Sequence, residues 1–295
     1  MQITPPSSLI PSQCDLGENP LWHPTEKKLY WLDIVQGRIE RFDPLTGIRE
    51  EVLKTNLFGG FTFQKGGGLF LLMEKGVGTV WKNGHFTPVC GPILAEMEHR
   101  FNDAIVDPHG RVFSGTIGTE AKQGGLYRID PEGSIHLLRK EVLCSNGMGF
   151  NHDYTRFFHT DSLKRVIRAY DYDLLTGTIS NEVPLIQFTE KEGYPDGMTI
   201  DREDCLWVAF WDHFSIARFS PEGKRLLTIP IPVKRPTSLT FGGPNLSDLF
   251  ITSAKEEKED FQHELSGNIF HLKTEFQGKN PHFSEIATQS NSLSR

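Results

Sequence analysis

Cysteine is scarce in this chain, and scattered. Cys14, Cys90, Cys144 and Cys205 form no C-x-x-C pair and keep no zinc-site spacing with histidine, so they read as buried or partly buried free thiols. No apolar run exceeds strand length, which argues against a helical membrane span of roughly 20 residues. The opening MQITPPSSLIPSQ has neither the basic nor the apolar segment of a signal peptide, and a cytoplasmic location is expected. Positive charge is not concentrated anywhere. With a net charge of −7 and a pI of about 5.9, neither nucleic acid nor an anionic membrane is an expected partner. Familiar catalytic signatures are missing as well. There is no G-x-S-x-G elbow, Gly66-Gly67-Gly68 lacks the Lys-Ser/Thr of a phosphate loop, and the 11 histidines show no H-x-H or H-E-x-x-H spacing. Only His99, beside Arg100, stands near a candidate site.

What the chain does have is a repeat. Six short apolar strands recur: LYWLD, LFLLM, VFSGT, FFHTD, LWVAF and LFITS. Their second residues, at 30, 70, 113, 158, 207 and 250, are spaced by 40, 43, 45, 49 and 43. Strand-rich repeats of this length predict an all-β, six-bladed β-propeller with four-stranded antiparallel blades around a central tunnel. In the fourth repeat the four strands fall at Cys144 to Asn151, Arg156 to Asp161, Val166 to Tyr172 and Asn181 to Phe188, divided by turn residues. A D/S-P-x-x-G or D-P-x-G turn closes the third strand of several repeats. The sixth repeat offers only SLTFGG, DLFITSA and GNIFHLK. Residues Gln2 to Cys14 are expected to close the ring, with His282 to Ala287 as the alternative, because an open sheet edge is a liability. Residues 1–295 read as a single domain. The charge run Lys255 to Asp260 reads as a solvated loop, and the polar tail from about Phe276 to Arg295 is expected to fray.

Stepping back 11 or 12 residues from each strand reaches Glu18, Phe58/Gly59, Asn102, Asn146, Asp196 and Ser238. Singly, each has an ordinary explanation: Asn146-Gly147 and Asp196-Gly197 are common turn dipeptides. Jointly, turn residues have no reason to recur at the phase that faces a propeller axis. Glu18, Asn102, Asn146 and Asp196 form a hard, oxygen-only set with two carboxylates. Such a set suits one divalent cation (Ca²⁺, Mg²⁺ or Mn²⁺, with Zn²⁺ or Fe²⁺ also accommodated). Carboxylates buried together without a cation are costly, so the cluster implies a metal or strongly shifted pKa values. Arg100, two residues before Asn102, shares its face if the segment is extended, and can orient an anionic or polyhydroxylated ligand. Glu120, after VFSGTIGT, is placed to overhang the same mouth.

The segments GENPLWHPTEKKLYWLDI, RFNDAIVDPHGRVFSGT, SNGMGFNHD, YDYDLLTGTISN and PDGMTIDREDCLWVA together resemble the SMP-30/gluconolactonase/regucalcin family, over essentially Leu16 to Lys273. The resemblance implies a six-bladed propeller with one divalent cation in its tunnel and, in many members, hydrolysis of sugar lactones. Position by position it implies metal ligation by Glu18, Asn146 and Asp196, and substrate contacts from Arg100, Asn102 and Glu120. Asn102 thereby moves from ligand to substrate contact or outer shell. Two positions depart from the pattern. Ala104 replaces a glycine after RFND, and Gly149-Phe150 replaces an acidic–aromatic pair, so pocket shape and substrate preference are expected to differ.

The sequence thus points to a metal-dependent lactonase acting on an aldonolactone, with Asp196 as general base, working as a monomer or weak homo-oligomer. Other readings are a calcium-binding regulatory propeller, a hydrolase of other esters such as organophosphates, and an interaction scaffold with an empty tunnel.

Overall fold

A computed structural model describes residues 5–256 and 264–288. These residues build six four-stranded antiparallel sheets, and the described residues contain almost no helix. Each blade begins on the axis and meanders outward. The inner strands are Gly17–His23, Phe58–Phe63, Arg100–Val106, Ser145–Phe150, Tyr194–Ile200 and Pro236–Gly242. Neighbouring inner strands pack on one another around the ring, the first against the sixth. All six therefore run the same way along the tunnel, which places their first residues at one mouth and their last at the other.

The core is divided by blade interface. Six apolar clusters are present, and each draws on two adjacent blades. Phe101, Phe113, Phe157, Phe158, Phe210 and Trp207 are all fully buried in this way. Each such side chain contributes roughly 1.5–3 kcal/mol by leaving water. The interfaces are as apolar as the blades need because each sheet is covered on both faces.

Ring closure follows the first of the two expectations. Ser7–Ile10 pairs with Ile269–Lys273 and becomes the outer strand of the sixth blade, whose other strands come from the far end of the chain. The fourth-blade strands fall at Ser145–Phe150, Arg156–Asp161, Val166–Asp173 and Thr178–Gln187. The proline turns are confirmed in detail: Gly47, Gly133 and Gly223 all adopt positive φ, at 72°, 90° and 86°, where a β-carbon is strongly disfavoured.

The tail departs from expectation. Residues 276–288 do not fray but cross the far end of the tunnel. Ser284 and Ile286 are buried, Ser284 bridges to Gln64, and the Ile286 N–H donates to Gln64 Oε1 at 3.1 Å. A few anchoring side chains outweigh the polar composition on which the frayed reading rested. Of the charge run, Lys255 pairs with Asp15, and Glu256 is buried, accepting from the Lys234 N–H at 3.1 Å. The rest of that run, like the final SNSLSR, lies outside the described residues. The four cysteines are unpaired, Cys14 and Cys205 buried, Cys90 and Cys144 partly so.

Candidate metal centre and active site

The phase seen in the sequence has a structural cause. In every blade the pairing of the inner with the second strand slips once, between Glu18 and Leu21, Phe58 and Gly60, Asn102 and Ile105, Asn146 and Met148, Pro195 and Met198, and Pro236 and Leu239. A bulge re-aims the side chain beside it, and here it does so six times at the same height. Asn146-Gly147 and Asp196-Gly197 are therefore parts of bulged strands and not hairpin turns. Glycine is required after both. A β-carbon on Gly147 would strike the Met198 backbone, and one on Gly197 the Ser238 side chain, because inner strands converge at the axis.

Four phase positions line one open cavity of ≈ 340 Å³: Glu18, Asn102, Asn146 and Asp196, together with Arg100. All four are buried. Ser238 instead faces a smaller chamber farther along the tunnel, and Phe58 belongs to the core between the first two blades. The glycine that follows Phe58 has its own reason. A β-carbon on Gly59 would land on the Phe101 carbonyl oxygen and crowd the Arg100 guanidinium, so the second blade gives up a polar group to make room for Arg100.

The hydrogen bonds sort these residues by what they can still do. Asn102 is held at both ends, its Oδ1 accepting from Arg100 Nη1 at 2.6 Å and its Nδ2 donating to the Ser145 carbonyl at 2.7 Å, and each atom keeps one further hydrogen-bonding site. Arg100 and Asn102, expected only to share a face, are thus also hydrogen-bonded to each other. Asn146 donates from Nδ2 to Ser162 Oγ at 3.0 Å, which leaves its Oδ1 buried without a partner. Asp196 Oδ1 is likewise buried and unpartnered. Unmet buried acceptors are rare and costly. Among the described residues no three His, Cys, Asp or Glu side chains converge, so a cation site has to use amide oxygen as well. Glu18, Asn146 and Asp196 supply that mixture, and hard oxygen donors of this type fit a divalent cation.

Electrostatics agree. Burial pushes Glu18 up to about 8, with the Asp103 carboxylate adding to the effect and the Asn19 N–H and Arg100 opposing it. Asp196 is raised well above the usual carboxylate range by burial, then by Glu18 and Asp103. Burial raises Asp103 to about 6 and lowers Arg100. Glu18 and Asp196 thus line one cavity, with Asp103 adding its field from the neighbouring chamber and a single arginine opposing, an arrangement that added positive charge relieves.

The remaining expectations divide. Glu120 is exposed and is not among the residues lining the cavity. His99 is buried and bonded to Glu96 at 2.5 Å, with Glu96 also accepting from Tyr127 at 2.6 Å, so it braces the approach to Arg100. Ala104 and Gly149 line the chamber at the far end and not the mouth, so their departures reshape that chamber. Tyr194 and Trp211 line the mouth without having been singled out; their only signal was adjacency to PDGM and the end of LWVAFW.

Residues 16–255 match the family model described as SMP-30/Gluconolactonase/LRE-like region. The chain is 37% identical over 247 residues to a pentonolactonase of Haloferax volcanii, covering 83% of this chain and 84% of that protein. It is 34% identical over 250 residues to regucalcin of Gallus gallus, covering 82% and 84%. A solved calcium-binding protein, regucalcin, from Agrobacterium tumefaciens superposes with a TM-score of 0.87 over 96% of this chain and 98% of that one; at 22% identity this bears on the fold.

Proposed function

The chain belongs to the SMP-30/gluconolactonase/LRE-like family, and from that premise we propose that it is a divalent-metal-dependent lactonase opening the ester of an aldonolactone. The observation that carries this reading is the pair of buried, unpartnered oxygens, Asn146 Oδ1 and Asp196 Oδ1, facing one cavity with Glu18. The name of the Haloferax volcanii relative supports the substrate class.

Glu18, Asn146 and Asp196 would hold the ion. Bound there, a divalent cation supplies Lewis acidity, polarising the lactone carbonyl and stabilising the developing oxyanion. The chain's own groups do the rest. Asp196 takes the proton of the water as its oxygen bonds to the carbonyl carbon, and returns it to the ring oxygen as the ester C–O bond breaks. Arg100 and Asn102 form one preorganised donor–acceptor unit, held by the Ser145 carbonyl, that engages ring hydroxyls and fixes the carbonyl face presented. Ser162 orients Asn146 so that its oxygen, not its nitrogen, points inward. Glu120 is placed to meet a longer substrate only at the rim. Four unpaired thiols accord with a reducing, cytoplasmic setting.

The test is hydrolysis of five- and six-membered aldonolactones followed with a pH indicator, after chelation and with each metal restored, spontaneous opening subtracted. Metal-restored opening supports the reading. Stoichiometric calcium binding without metal-dependent opening favours the calcium-protein reading that the regucalcin name suggests.

A further inference from the structure

The mouth cavity has two kinds of wall. Most of its lining is polar or small and aliphatic, whereas Tyr194 and Trp211 bring aromatic surface from the fifth blade. The rings come from directly opposed positions, Tyr194 on the inner strand and Trp211 at the end of the second. Tyr194 precedes Asp196 by two residues on one strand, and both residues line the same mouth cavity.

Neither ring is needed by the core. Trp207 and Phe210 of the same second strand fill the neighbouring apolar clusters, while Tyr194 and Trp211 stay half-buried. Each is nonetheless pinned. The Arg165 guanidinium lies 4.1 Å from the Tyr194 ring centre, and Arg165 Nε is buried without a hydrogen-bond partner. Arg235 lies 4.7 Å from the Trp211 ring centre and is tied to Asp212 at 2.8 Å. Rings already fixed lose little freedom when a ligand lands on them.

Resting on the lactonase reading, we infer that Tyr194 and Trp211 form a stacking wall that receives the C–H face of a saturated sugar ring and selects among epimers. A sugar-lactone ring has one face richer in C–H, and those hydrogens suit the electron-rich face of an aromatic ring. A hydroxyl turned toward the wall is buried without a partner. Epimers carrying it there are rejected, and the accepted ones present their hydroxyl edge to Arg100 and Asn102.

The experiment titrates 1,5-anhydroglucitol, a six-membered polyol ring with no ester, into the full chain with calcium present. Wild type is compared with Trp211→Ala, Tyr194→Ala and Trp211→Phe by calorimetry, and opening of epimeric aldonolactones is measured on the same samples. Both alanine variants are expected to weaken polyol binding by about tenfold, with Trp211→Phe recovering most of it. For lactones they raise KM, leave kcat near wild type and narrow the preference among epimers. Unchanged binding in both alanine variants, or no saturable binding by wild type, overturns the wall. Polyol binding that depends on both rings, in a wild type that opens no lactone, supports the wall and counts against the hydrolase alone.

Discussion

The two ends of the tunnel are lined by the same inner strands, yet their polar atoms are treated differently. At the mouth, Asn146 Oδ1 and Asp196 Oδ1 are buried with nothing to accept from. At the far end the tail supplies partners: Tyr154 shares a 2.6 Å hydrogen bond with His282, and Lys279 donates to the Phe150 carbonyl at 3.1 Å. Among the described residues, none of the unpaired buried side-chain atoms belongs to that chamber's lining. Buried carboxylates elsewhere repeat the contrast. Asp33 accepts from the Asp15 and Leu16 N–H groups, and Asp161 from those of Leu143 and Cys144. These aspartates brace the chain just before Glu18 and just before Asn146. Burial of an acid is thus common in this molecule; among the described residues, an unmet carboxylate or amide oxygen is what separates the mouth from the rest.

That contrast can be broken at the mouth with the largest effect. Asp196→Asn keeps the shape but removes the base, and lactone turnover is expected to fall by about 10²–10⁴-fold; a fully active variant removes Asp196 from the mechanism. At the far end, Ile286→Ala should destabilise the fold by about 2–4 kcal/mol through lost burial and a residual cavity, read as a lowered denaturation midpoint with kcat unchanged. A loss of kcat without loss of stability would erase the distinction between the ends. Gly59→Ala tests the space reserved for Arg100. It should cost about 1–3 kcal/mol by overpacking and raise KM, whereas an unaltered KM would mean that Arg100 does not contact substrate.

The pH dependence sharpens the same comparison. Glu18 is ordinarily near 4.5 and sits at about 8 in the fold. Between those values the folded chain keeps a proton that the unfolded chain has released. The Glu18 contribution to the stability of the chelated protein should therefore decline as pH rises from about 4.5 to about 8, with Asp196 and Asp103 acting in the same direction and His159, held below its ordinary 6.5 by burial, opposing them below that value. Thermal melts should show this slope, and a bound divalent cation should flatten it by accepting the ionised forms. A slope that persists undiminished in Glu18→Gln with Asp196→Asn, where the Asp103 contribution remains, would place its origin elsewhere.

The mouth was legible in the sequence because its residues recur with the blade period, and the bulge that re-aims them recurs with it. Closure by Ser7–Ile10 was legible for a related reason, since the sixth repeat visibly lacked a strand. The tail was not. Its order depends on Ser284 and Ile286 finding Gln64, a long-range match that composition does not register. Tyr194 and Trp211 escaped notice because an aromatic next to a strand end usually belongs to the core, and only the register shows the two meeting at the mouth. Glu120 had no such help: a loop acid has no period to fix where it points.

The central claim, that three oxygens from the first, fourth and fifth blades share one ion, is tested most directly by metal analysis. Wild type, Glu18→Gln, Asn146→Leu and Asp196→Asn would each be dialysed against calibrated calcium, zinc or manganese buffers and the bound metal counted per chain. The account predicts one ion per wild-type chain for at least one of these metals, and at least tenfold weaker binding in every single variant. A wild type with no stoichiometric ion, or variants that retain it undiminished, would contradict it.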